Sequence, residues 1–184
     1  MLRAKRSCKV SGGTSLPVTS IGFYLLRRRL STDLIKMNIE DLANAEEDRK
    51  LSPYILLPGA GVAGFDAGVK ASRRSTGGNL SVIESHTKGG APWHVHTRED
   101  EYFYILEGSI IVYCGTEKHL AGPRSFVFLP RGIPHSWDVG GDGRATLLMM
   151  TVPAMLEEFL LEFHAAPSKQ AKDEVGAKYG ITFL

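Results

Sequence analysis

The chain has 184 residues, 43% of them hydrophobic and 23% charged, which gives room for one folded domain with a full core. Its formal charge of +2 is unevenly spread, because residues 1–36 hold eight Lys/Arg and the single acid Asp33, leaving 14 of the 22 basic and 19 of the 20 acidic residues to the body. That mildly acidic body argues against a nucleic-acid partner, no apolar run approaches the length of a membrane span, and two cysteines, Cys8 and Cys114, give no disulfide framework.

Residues 1–36 are rich in Arg, Ser and Thr. They read either as a mitochondrial transit peptide, or as an unstructured tail or upstream start with Met37 as the functional beginning. The first reading places the protein in mitochondria, the second in the cytoplasm. Asn38 to Arg49 reads as a short helix with Asn38 as N-cap, ended by Pro53. Gly59-Ala-Gly61-Val-Ala-Gly64 formally matches a dinucleotide fingerprint. Strand-like sequence follows it where a helix is required, so it reads as a glycine-rich turn. From Pro53 to Pro153 the chain is cut by Gly and Pro into short β-type runs: 54–57, 67–73, 79–86, 92–96, 101–106, 109–114, 125–129, 135–139 and 145–152. Strands at this spacing predict an all-β sandwich or barrel. Glu107-Gly108 is expected to turn a tight hairpin, and Gly140-Gly-Asp-Gly143 another before the last strand. Cys114 reads as a small buried residue of a strand. After Pro153, Met155, Leu156, Phe159, Leu160 and Phe163 recur at helical spacing, which predicts a helix with its apolar face on the barrel exterior or a neighbouring subunit. Ser168 to Tyr179 predicts a more polar helix closed by Gly180. The expected divisions are a tail at 1–36, a folded domain at 37–166 and a helical extension at 167–184.

The chemistry concentrates in two segments. His94 and His96 are two residues apart, so a strand puts both on one face, with Cα atoms roughly 7 Å apart. Glu101 lies an odd number of residues beyond His96, so the Thr97-Arg98-Glu99-Asp100 stretch must bend to re-aim it. His135 follows Pro130-Arg-Gly132 downstream. Three imidazoles and one carboxylate make a mixed N/O site suited to a divalent first-row metal, and Fe, Mn, Ni, Cu, Co and Zn are not distinguished by it. His86, His119 and His164 fall outside this pattern and read as surface or packing residues.

These two segments resemble the paired motifs of the cupins. His94, His96, Glu101 and Gly108 match the first motif; Pro130, Gly132 and His135 match the second. The departures are small: four residues separate Gly89 from His94 where the family has five, seven separate Gly122 from Pro130 where it has five, and Val139 stands at an Asn position. Thirteen residues, 109–121, separate the motifs. Ile55-Leu-Leu-Pro-Gly59, Ser75-Thr-Gly-Gly78, Ser81-Val-Ile-Glu84 and the run Pro92 to Gly108 are further similar to single-domain cupins of the quercetin 2,3-dioxygenase type. The resemblance implies a double-stranded β-helix, a jelly-roll barrel with short N-terminal and C-terminal helices. It implies a metal-dependent oxidoreductase that uses O2 on a small aromatic or enolic compound of flavonol or polyketide type, with Glu101 as both ligand and base. It also implies a homodimer, for which the 154–164 helix offers an apolar contact. By strand alternation, Phe103 shares the inward face of Glu101 and Trp137 that of His135, so both are candidate pocket walls or plain core. The rival readings are a metal-dependent isomerase or cyclase and a non-catalytic small-molecule-binding cupin.

Overall fold

In this computed structural model the described residues are 9–11, 40, 42, 44, 49–64 and 67–184. The basic tail, apart from its residues 9–11, and most of the expected 38–49 helix, Asn38 included, lie outside them. Glu40, Leu42 and Asn44 are helical, and Leu42 joins the core.

Thirteen strands are described: β1 (Lys9–Ser11), β2 (Tyr54–Leu56), β3 (Val62–Gly64), β4 (Ala67–Ala71), β5 (Ser81–Thr87), β6 (Ala91–His96), β7 (Asp100–Gly108), β8 (Ile110–Cys114), β9 (Glu117–Ala121), β10 (Phe126–Leu129), β11 (His135–Val139), β12 (Ala145–Val152) and β13 (Ile181–Phe183). The helices are α1 (Arg73–Thr76), α2 (Leu156–Ala165) and α3 (Lys169–Tyr179). One sheet runs β10-β7-β12-β5-β4-β3 and the other β13-β6-β11-β8-β9, all antiparallel; β1 and β2 form a separate parallel pair. From β5 to β8, and again from β10 to β12, each strand lies in the sheet opposite its predecessor. This alternation closes a double-stranded β-helix, the all-β barrel expected from the sequence.

Alternation along each strand builds the core between the sheets. In β7, Glu101, Phe103 and Ile105 are buried while Tyr102 and Tyr104 are less so; in β12, Ala145, Leu147, Met149 and Thr151 face inward. They meet Ile110, Val112 and Trp137 of the other sheet in one apolar cluster. Cys114 is half-buried at its margin rather than fully enclosed.

The two expected hairpins are instead crossings between sheets. β7 pairs with β10 and β12, whereas β8 pairs with β11 and β9, so Glu107-Gly108 carries the chain across the barrel. Gly108 has φ 69°, and a Cβ there would lie 2.1 Å from the Arg144 carbonyl oxygen, so only glycine fits. Gly140–Gly143 crosses likewise, from β11 to β12, and the Gly140 amide donates to the Ser109 carbonyl at 2.8 Å, tying the two crossings together.

Five described elements were not expected: β1, α1, β3, β9 and β13. β3 occupies part of the glycine-rich stretch, whose turn at Pro58–Gly59 is present, and no helix opens there. β13 adds an edge strand to the five-stranded sheet after Gly180 ends α3 in the left-handed region, at φ 78°. α2 corrects another expectation. Its apolar side is not laid on the barrel exterior; Leu156, Phe159, Leu160 and Phe163 line a cavity inside the barrel mouth. Glu157 fastens the helix there, fully buried, accepting from the Ser81 hydroxyl and the Arg73 amide. No described helix is long and apolar enough to cross a membrane.

Candidate metal centre

β6 and β11 are neighbours, with His94 directly opposite His135 in the register. Two-residue alternation puts His96 on the same inner face as His94. Glu101 comes from the opposite sheet, because the chain bends through Thr97–Glu99 and re-enters as β7. The result brings His94, His96, Glu101 and His135 together, all buried, with one ligand-type atom of each within 4.8 Å of every other. His135 Nε2 is 3.2 Å and His96 Nε2 3.8 Å from Glu101 Oε2.

The outer ring nitrogens show why this set fits a cation. His94 Nδ1 lies 2.7 Å from the Pro92 carbonyl and His135 Nδ1 3.0 Å from the Ile133 carbonyl. A carbonyl only accepts, so both Nδ1 atoms carry the hydrogen. His96 Nδ1 faces the Glu99 carboxylate at 2.8 Å, with the same consequence. With the hydrogen on Nδ1, a ring in its neutral form turns a bare Nε2 lone pair toward the others and toward Glu101. Lone pairs converging in a buried space repel unless a positive charge lies among them. His96 Nε2 is buried with no hydrogen-bond partner. The donors present are those of a divalent transition-metal site.

The electrostatics keep these donors available. Burial pushes His94 down to about 4, against the pull of Glu101, so its ring is neutral at physiological pH. Burial alone would lower His96 too, but the hydrogen bond it donates to Glu99 and the charges of Glu101 and Glu99 outweigh it and the net shift is upward. For Glu101, burial opposes ionisation, yet the His135 hydrogen bond and the surrounding imidazoles prevail and hold the carboxyl below its ordinary value. Outside the cluster, Arg131 grips Asp100 through Nε and Nη2, each at 2.9 Å, and through its own amide at 2.9 Å. This fork ties the β10–β11 loop to the start of β7 and holds Asp100 down to about 2.

The cluster opens on one side into a cavity of about 360 Å³, with His94, His96 and Glu101 at its polar end. Trp137, Met149, Phe183 and the α2 residues form apolar walls, and His164 lines it as well. Burial and nearby Lys172 hold the His164 ring below its usual pKa. Trp137 thus reaches the cavity, whereas Phe103 does not line it: fully buried, it stands with its ring centroid 5.5 Å from that of Trp137. His86 and His119 are exposed, each beside a glutamate. Sequence reasoning passed over Glu99, treating it only as part of the bend. An acid three residues past a ligand histidine, inside that bend, was the available signal. It also passed over Phe183 and Ile181, which reach the cavity from a three-residue strand with no periodicity to announce it.

The Cupin domain family model matches residues 81–151 of the chain. Among solved structures, the TT1209 protein of Thermus thermophilus is 31% identical over 41% of this chain and 74% of its own, with a TM-score of 0.39. An uncharacterized conserved protein with a double-stranded β-helix domain from Klebsiella pneumoniae is 14% identical, covering 47% and 75% of the two chains, with a TM-score of 0.41. Pac13 of Streptomyces, a nucleoside dehydratase, is 16% identical over 50% of this chain and 72% of its own, with a TM-score of 0.41. None of the curated proteins matches the chain significantly.

Proposed function

We propose that this chain, whose residues 81–151 match the Cupin domain model, is a metal-dependent oxidoreductase of the dioxygenase type, acting on a small aromatic or enolic compound. The observation that carries the reading is the union of one ionised carboxylate and converging bare imidazole nitrogens at the end of an otherwise apolar cavity. His94, His96, Glu101 and His135 are the residues that would hold the ion. When bound, a divalent transition metal supplies Lewis acidity and access to O2 chemistry.

The chain's own residues supply the rest. Glu101 is the one carboxylate among the cavity-lining residues, so it takes the proton of an acidic substrate hydroxyl at a carboxylate oxygen. Its lowered pKa keeps it ready to accept at neutral pH. Trp137 and the phenyl rings of α2 exclude bulk water and clasp a planar ring. The cavity volume, about 360 Å³, is at the small end of ligand pockets, which favours a compact substrate.

Elemental analysis of the purified protein, paired with an oxygen electrode and a panel of flavonols and related enols, tests the reading. The expected result is bound divalent metal, O2 uptake that stops on chelation, and no turnover in Glu101→Ala or His96→Ala. Full turnover after thorough chelation excludes the mechanism. Turnover without O2 uptake replaces it with metal-dependent isomerisation or cyclisation, and binding without conversion replaces it with a binding protein.

A further inference from the structure

The cavity holds polar atoms that the metal chemistry leaves unused. Beyond the metal set, four polar side chains line it: Ser85, Thr87, Trp137 and His164. Thr87 is already spent, because its hydroxyl donates to the Gly89 carbonyl and accepts from the Gly89 amide at 3.1 Å. His164 carries no charge at neutral pH, its ring being held below its usual pKa. Trp137 and Ser85 differ from both. Trp137 is only 6% exposed, yet among the described residues its indole N–H meets no acceptor. A buried indole N–H ordinarily has one. The Ser85 hydroxyl likewise has no hydrogen-bond partner among the described residues. Strand alternation turns both inward: Trp137 shares the face of His135, and Ser85 that of Ile83.

The two groups stand at different depths. Trp137 is two residues past His135 on β11, so it lies roughly 7 Å along the strand from that histidine. The register sets Ser81 opposite Thr151 and Thr151 opposite Glu101. Ser85, four residues past Ser81, therefore lies roughly 13 Å along β5 from the level of Glu101. We propose that Trp137 and Ser85 form a second subsite that reads oxygen substituents on the part of the substrate extending away from the metal set. The indole N–H donates to such an oxygen, and the Ser85 hydroxyl donates to one or accepts from it. This inference rests on the enolic-compound reading above and narrows it. The substrate class is a polyoxygenated planar ring compound, with an enol at one end and a neutral hydroxyl or carbonyl farther along. An unsubstituted ring would bury both polar groups without partners, and a site built to bond such a group discriminates against the analogue that lacks it. A carboxylate or ammonium in the same place would find no counter-charge.

The probes are 3-hydroxyflavone, which offers the metal-binding enol and no further hydroxyl, and its 4′-hydroxy and 7-hydroxy derivatives. Calorimetry under argon on the Zn²⁺-loaded protein reads binding without turnover, because Zn²⁺ has no redox chemistry. In the wild type at least one derivative is expected to bind ~10-fold more tightly than the parent compound. In Ser85→Ala, in Trp137→Phe or in both, that preference is expected to shrink to within ~2-fold. The ratio is the diagnostic quantity: a merely structural role would weaken all three compounds alike and leave it intact. A wild type that binds the three equally overturns the subsite and leaves the enolic reading standing. Two folded variants that both keep the wild-type ratio overturn it as well. Should Trp137→Phe fail to fold by circular dichroism, Ser85→Ala alone decides. If none of the three compounds binds, the enolic reading falls and this inference falls with it.

Discussion

Glu99 is expected to set the metal affinity of the site without touching the ion. Its carboxylate lies 2.8 Å from His96 Nδ1, and both side chains are almost fully buried. That bond fixes the hydrogen on Nδ1, aims Nε2 at the cluster and makes the ring a stronger donor. Replacing Glu99 with Ala leaves a buried N–H without a partner, at a cost of about 1–3 kcal/mol, and frees the ring to rotate. Loss of such a supporting partner weakens metal binding by about 10–100-fold, or about 1.4–2.8 kcal/mol. Glu99→Gln retains an oxygen that accepts from Nδ1 but removes the charge, so its loss should fall between wild type and Ala. The metal-free protein should respond differently. Glu99 Oε2 is buried without a hydrogen-bond partner, and a buried carboxylate oxygen so placed is costly. Neutral Gln therefore should not lower metal-free stability by more than about 1 kcal/mol. The assay is competition for Zn²⁺ or Co²⁺ against a chromophoric chelator, run beside urea unfolding of the metal-free protein. If the Ala variant folds and binds metal as tightly as wild type, Glu99 does not position His96.

Other perturbations probe the helix that walls the cavity. Burial pushes the Glu157 carboxyl above its ordinary value, against the hydrogen bonds from Arg73 and Ser81. An acid raised in the folded state favours folding most below its unfolded pKa near 4.5, and that advantage is lost as pH rises through the raised value. Glu157→Gln has no such loss, so the variant should gain stability relative to wild type between pH 4.5 and 7; urea midpoints that keep a constant gap would refute this. Glu157→Ala strips the Ser81 hydroxyl and Arg73 amide of their acceptor and should cost about 2 kcal/mol, with increased binding of a hydrophobic dye at the loosened mouth. Phe159 is buried between Phe163 and Tyr179, with ring centroids 5.2 and 5.9 Å away. Phe159→Ala should cost about 3 kcal/mol and enlarge the cavity, and bulkier planar ligands should then bind relatively better than compact ones in a calorimetric series.

Much of the barrel was legible because its strands are half-buried, and half-burial writes a period of two into the sequence. β7 and β12 show the pattern plainly, with Glu101, Phe103 and Ile105 inward and Tyr102 and Tyr104 outward. β9 shows none: Glu117 to Leu120 are all exposed, and only Ala121 is buried. A strand held by its ladder alone leaves no apolar trace. The crossings at Gly108 and Gly140–Gly143 were misread for a related reason. A glycine between two strand-like runs signals a change of direction, but not whether the next strand pairs with its predecessor. That is decided by partners distant in sequence: Ala145 opposite Gly108, and Trp137 opposite Val112.

The four clustered side chains were legible because their spacing is local within each segment, His94 to Glu101 in one and Pro130 to His135 in the other. What the spacing could not carry is the surroundings. Glu99 sits beside His96 only because the bend folds the chain back on itself. Phe183 reaches the same cavity because β13 pairs with β6, placing it opposite His94 across 89 positions of sequence. α2 shows the limit most sharply. Its amphipathic period was read correctly, but an apolar stripe states only that it must be covered, not by what. Buried Glu157 decides this, since its two acceptor bonds reach α1 and β5 and turn the stripe into the barrel mouth.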